Sequence, residues 1–94
     1  MTPRLAIMEN MDSLKKALRH ALHSRFRVKG AVEDDTELFS SGLIDSLTVM
    51  ELVSFVEGEI DCAIPPSEIT LENFDSVNQI GRLAEKLLSA GGGT

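Results

Sequence analysis

The side chain best placed to do chemistry is the hydroxyl of Ser46, in the run Leu38-Phe39-Ser40-Ser41-Gly42-Leu43-Ile44-Asp45-Ser46-Leu47. A glycine turn and an Asp-Ser pair lead there into an acidic, apolar-periodic segment. That order puts Ser46 at the start of a helix. Backbone N–H groups are unpaired at such a position and the helix dipole is positive, so a phosphate ester on the hydroxyl would be favoured. A loop–helix junction is also within reach of a modifying enzyme. Taken alone, however, Asp-Ser in front of an amphipathic segment is an ordinary N-cap signal, and the dipeptide leaves both readings open.

Other side chains offer less. His20 and His23 are three apart on one helical stretch, but no third metal ligand has sensible spacing and Arg19 and Arg25 disfavour a cation. They read as surface histidines. Cys62 is the only cysteine. It has no internal disulfide partner and no CxxC context, which marks a small half-buried residue and not a redox centre. Glu33-Asp34-Asp35 lacks the DxDxDG spacing of a calcium loop and reads as a solvated face or as caps for a local turn. No GxSxG elbow surrounds Ser46, so it is not expected to be a hydrolase nucleophile.

Four helical stretches must position these groups, giving an all-α chain. The first has Asp12 as an N-cap candidate and Leu14, Ala17, Leu18, Ala21 and Leu22 at helical spacing, ending near residues 24–26. Thr2-Pro3 offers an earlier start, so residues 1–11 are either an extension or the beginning of this helix. Residues 27–44 form a long connection, with Leu38, Phe39, Leu43 and Ile44 expected to pin it to the core. The second helix is expected from Asp45 or Ser46 to Ile60. Its core face is Val49, Leu52, Val53, Val56 and Ile60, while Leu47, Met50, Glu51 and Glu57 face outward and Phe55 lies on a flank. After Pro65-Pro66, a short third helix falls at 67–69 or 71–74. Asp75 or Ser76 caps the fourth, which carries the stripe Val77, Ile80, Leu83, Ala84, Leu87 and Leu88. The core domain is expected over 12–88, with a flexible tail over 89–94.

Composition narrows the function. Hydrophobic residues make up 43% of the chain and the four aromatics are all Phe, an aliphatic core suited to helix-on-helix packing. Ninety-four residues leave little room for an enclosed active site. No apolar run approaches the ~18 residues needed to cross a bilayer, and none long enough for a secretory signal follows Arg4. A cytoplasmic location without membrane contact is expected. The net charge of −6 is unevenly spread: six basic residues lie between 15 and 29, whereas residues 31–75 contain twelve acids and no Lys or Arg. Such a field repels nucleic acid and steers basic protein partners; it also serves solubility.

In this order and spacing, Leu38-Phe39, Gly42-Leu43, Asp45-Ser46-Leu47, Glu51-Leu52-Val53, Glu57, Ile64-Pro65 and Phe74-Asp75-Ser76-Val77 resemble the phosphopantetheine-binding carrier family of acyl, peptidyl and aminoacyl carrier proteins. The resemblance extends over about residues 12–88. It implies a four-helix acyl-carrier-like bundle, three main helices plus one short one, with a long loop between the first and second. It implies that Ser46, flanked by Asp45, is the attachment serine for 4′-phosphopantetheine, installed by a phosphopantetheinyl transferase from coenzyme A. The helix after it would be the partner-recognition helix. Two motifs depart from relatives: Thr48 stands where fatty-acid carriers have a second acid, and the Gly-Gly-x-Ser of peptidyl carriers is absent. Gly-Leu-Ile-Asp-Ser looks more like stand-alone carriers of specialised pathways and of activated amino acids.

On this reading the chain is not an enzyme. It holds an acyl or aminoacyl group as a thioester at the end of a long arm, and is expected to be a monomer. Leu47, Met50, Glu51 and Glu57 then form a partner surface for the transferase, for an acyl- or amino-acid-activating ligase, and for downstream transferases with basic docking surfaces. The competing reading is an unmodified acidic helical interaction module with Ser46 as a cap alone.

Overall fold

The computed structural model describes residues 11–91. They form four α-helices and two short 3-10 turns, with no strand among the described residues. Helix α1 spans Met11–Ser24 and buries Leu14, Leu18, Ala21 and Leu22 of the stripe its spacing predicts, with Ala17 only half-buried. Asp12 lies inside its first turn and so is not the cap; the Thr2-Pro3 start lies outside the described residues. The helix ends where Arg27 takes a left-handed φ of 59° and the Val28 N–H turns back to the Leu22 carbonyl at 2.8 Å. A non-glycine residue thus makes this stop.

The long connection is pinned by Val28, Val32, Leu38 and Ile44, all buried. Leu43, expected to help, instead faces solvent, and Phe39 is half-buried. Polar ties add to the pins. Arg19 pairs with Asp34, the Asp34 carbonyl accepts the Asn78 N–H at 2.8 Å, and the His23 ring lies 3.1 and 2.6 Å from the carbonyls of Arg19 and Gly30. The acidic cluster is therefore partly a brace between α1 and the last helix. Gly42, with φ at 85°, makes the turn before Ser46, a conformation that glycine adopts without steric cost.

Helix α2 spans Val49–Ile60 and is preceded by a 3-10 turn, Ser46–Thr48. The expected α-helical start at Asp45 or Ser46 is thus replaced by a tighter turn, with α geometry beginning at Val49. Leu52, Val53, Val56 and Ile60 face the core, while Val49 is half-buried. Asp61, in left-handed conformation, closes the helix. Of the two candidate positions for the short helix, the second, Leu71–Phe74, is helix α3, capped by Thr70, while a 3-10 turn lies one residue before the first, at Pro66–Glu68. Helix α4 spans Val77–Gly91. Its cap is Ser76, whose Oγ accepts the Gln79 N–H at 3.1 Å. It continues through Ser89, where a tail was expected to begin; residues 92–94 lie outside the described residues.

One continuous core joins the helices and the long connection, with Phe74 among its largest fully buried side chains. Helices α1 and α4 approach closely at Gly81. A Cβ there would stand 3.2 Å from the Lys15 side chain, which itself reaches Asn78 Oδ1 at 3.0 Å. The result is the expected all-α bundle of three main helices and one short one.

Candidate functional site

Ser46 is exposed at the first position of the 3-10 turn. The cap of that turn is Asp45, in extended conformation, whose Oδ1 accepts from the N–H groups of Leu47 and Thr48 at 3.0 and 3.1 Å and from the Thr48 hydroxyl at 3.0 Å. The Ser46 hydroxyl makes no hydrogen bond to another described residue. The two readings of the Asp-Ser pair are thereby separated: Asp45 caps and Ser46 is presented. One expectation changes with this. Two of the N–H groups expected to favour a phosphate at this helix end, those of Leu47 and Thr48, are already taken by the Asp45 carboxylate. The reach of the serine, and not an anion cradle, distinguishes it.

Around Ser46 the surface is apolar. Leu47 is 88% and Met50 57% exposed, and Leu43 and Leu71 also face solvent. Beside the serine runs an open groove of about 210 Å³, walled by Phe39, Val49, Ile69, Leu71 and Phe74, with Ser46 at its edge. A second cleft, of about 360 Å³, lies between the end of α1 and α2 and is lined by Arg25, Phe26, Met50, Glu51 and Ser54. The Arg25 guanidinium sits 5.8 Å from the centre of the Phe55 ring, a cation–π distance. Glu51 is exposed in the first turn of α2. Glu57 departs from the outward role expected of it. It is half-buried, and its Oε2 accepts the Ile64 N–H at 2.7 Å, so its carboxylate fastens the segment after α2.

Asp75 carries a role that its position in front of a helix disguised. It is 8% exposed. Its Oδ1 accepts the N–H groups of Phe39 and Ser40 at 2.7 and 2.9 Å, and its Oδ2 accepts the Ser40 hydroxyl at 2.6 Å. Burial pushes its carboxyl up, but the hydrogen bonds from the Ser40 side chain and from the backbones of Ser40, Phe39 and Leu38 outweigh burial and hold it below its ordinary value of 3.8. The signal available in the sequence was redundancy: Asp75-Ser76 offers two capping residues where Ser76 alone suffices.

Nothing in this arrangement resembles an acid–base or nucleophilic centre. The two nitrogens of His23 face backbone carbonyls. Among the described residues no three His, Cys, Asp or Glu side chains are grouped to hold a metal ion, and no helix is long and apolar enough to cross a membrane. What the site offers is a free primary hydroxyl at the rim of an apolar groove, which fits a covalently attached arm.

Comparison with known proteins agrees with that geometry. The D-alanyl carrier protein of Lactococcus lactis subsp. cremoris is 38% identical over 53 residues, 55% of this chain and 67% of that protein. The D-alanyl carrier protein of Streptococcus uberis is 34% identical over 56 residues, 60% of this chain and 71% of the other. Aminoacyl carrier protein 2 of Bradyrhizobium diazoefficiens is 36% identical over 66 residues, 70% and 73% of the two chains. Members of this group are carriers of 4′-phosphopantetheine that present acyl or aminoacyl groups and are themselves non-catalytic. The sequence profile described as the phosphopantetheine attachment site matches residues 16–84, and the chain belongs to that family of carrier proteins.

Proposed function

We propose that Ser46 is the attachment residue and that the chain is a stand-alone, non-catalytic carrier whose cargo is an aminoacyl group. The observation that carries the attachment is the unengaged, exposed hydroxyl beside a cap that Asp45 supplies. The names of the D-alanyl and aminoacyl relatives support the cargo. Once attached, the arm supplies a terminal thiol that holds the cargo as a thioester. The protein's own residues do the rest: Asp45 fixes the turn that presents Ser46, the apolar groove shelters the base of the arm, and Leu47, Met50 and Glu51 meet the partner. Those partners are a phosphopantetheinyl transferase, an amino-acid-activating ligase and downstream transferases with basic docking surfaces. The carrier domain covers residues 12–88 and acts as a cytoplasmic monomer, without nucleic-acid or membrane contact.

Intact-mass measurement after incubation with coenzyme A and a purified phosphopantetheinyl transferase tests the attachment. One phosphopantetheine should appear on the wild type and none on Ser46→Ala. No gain with several transferases would return the chain to the class of unmodified interaction modules. Loading the modified protein with amino-acid-activating ligases and with acyl-activating ones, each given its own substrates, tests the cargo. Loading by acyl ligases only would exclude an aminoacyl role.

A further inference from the structure

The loop that ends in Ser46 hangs from one carboxylate. Three donors from Phe39 and Ser40 converge on the Asp75 side chain, and the Leu38 N–H reaches the Asp75 carbonyl at 2.7 Å. The Ile44 N–H then returns to the Leu38 carbonyl at 2.9 Å, closing 38–44 into a compact loop with Leu38 and Ile44 buried beneath it. Two residues later comes Ser46. The same clasp brings together Phe39 and Phe74, which wall the groove at the serine. A buried carboxylate is costly unless donors surround it, and capping of α4 does not require this one, because Ser76 supplies the cap.

We infer that Asp75 is a positioning residue for the modification of Ser46: it fixes the loop, and through the loop the attitude of the hydroxyl that the transferase must reach. This inference rests on Ser46 being the attachment residue. Leu47, Met50 and Glu51, which meet the partner, take no part in the clasp. Loss of the clasp should therefore slow the transfer step and leave docking alone.

The test is steady-state modification by a purified phosphopantetheinyl transferase with coenzyme A, varying the full-length carrier and reading kcat and KM separately. Asp75→Ala should lower kcat by about tenfold or more with KM unchanged, since small misplacements of a reacting atom carry penalties of that order. Asp75→Asn should restore a kcat close to wild type: its Oδ1 still accepts both N–H groups, and its amide donates to the Ser40 oxygen. Ser40→Ala, which removes one hydrogen bond, should fall between, and it decides the matter if Asp75→Ala does not fold. Amide exchange at Phe39 and Ser40 should quicken in step with the fall in kcat. Wild-type kcat in Asp75→Ala or Ser40→Ala, a loss confined to KM, or an Asn variant as impaired as the Ala variant would each overturn the inference. A wild-type chain that takes no arm would instead remove the attachment reading, and this inference with it.

Discussion

A serine at the head of a helix commonly turns its hydroxyl back to the backbone two or three residues ahead. In this chain the residue before it has that role, and the chemistry of the site follows from the exchange. Removing the cap should be felt in stability: Asp45→Ala is expected to cost about 1 kcal/mol, measured as a lower urea midpoint. Asp75 should show itself through pH. Its carboxyl lies below the ordinary value of 3.8 in the folded chain, so the charged form is favoured by folding. That stabilisation is complete above the ordinary value and is lost as pH falls through the lowered one. The gap in urea midpoint between about pH 7 and about pH 3 should accordingly be smaller in Asp75→Asn than in the wild type. No difference between the two gaps would mean that the carboxylate does not favour the folded state.

Among the elements, α2 divides its residues between two tasks. Leu52, Val53, Val56 and Ile60 build the core, while Met50 and Glu51 stay outside. Glu51→Lys should weaken transferase binding severalfold and flatten its salt dependence, with the helical circular dichroism unchanged. Glu57, though spaced like a partner residue, should behave otherwise. Glu57→Ala is expected to destabilise by about 1 kcal/mol, because it strips the Ile64 N–H of its acceptor, and to leave transferase KM unchanged.

The periodicity of apolar residues made α1, α2 and α4 readable in advance, because burial on one face imposes a 3.6-residue repeat. The family was readable for a different reason: a whole series of weak motifs around Ser46 agreed in order and spacing. The assignments that escaped were those made by hydrogen bonds between distant segments. Glu57 to Ile64 and Asp75 to Phe39 and Ser40 leave no periodic trace, and a carboxylate that braces a loop has the same letter as one that meets solvent. The tight first turn was hidden too, since Ser-Leu-Thr suits a 3-10 or an α-helical start equally well.

On the scale of the whole molecule, one core joins all four helices to the long connection. Leu52 is fully buried in it, and Leu52→Ala should cost about 2–5 kcal/mol, seen as a lower urea midpoint with little change in m. The arm should still be added at temperatures where that variant is folded, because no residue of the proposed docking surface is lost. Failure of the folded variant to accept the arm would show that core packing and site geometry are more tightly coupled than the contacts around Ser46 indicate.

The bonds from Asp75 to Phe39 and Ser40 span 36 and 35 residues of sequence. Contacts that far apart in the chain form only after a loop of that size has closed, and closure carries its own entropic cost. During synthesis Ser46 and the whole of α2 are made before Asp75 exists. The serine is thus present early but held in place late, once the junction of α3 and α4 has settled against the loop. On the proposed role of Asp75, maturation would follow folding: a transferase that needs the ordered loop would act as an inspector, adding the arm to finished chains in preference to incomplete ones.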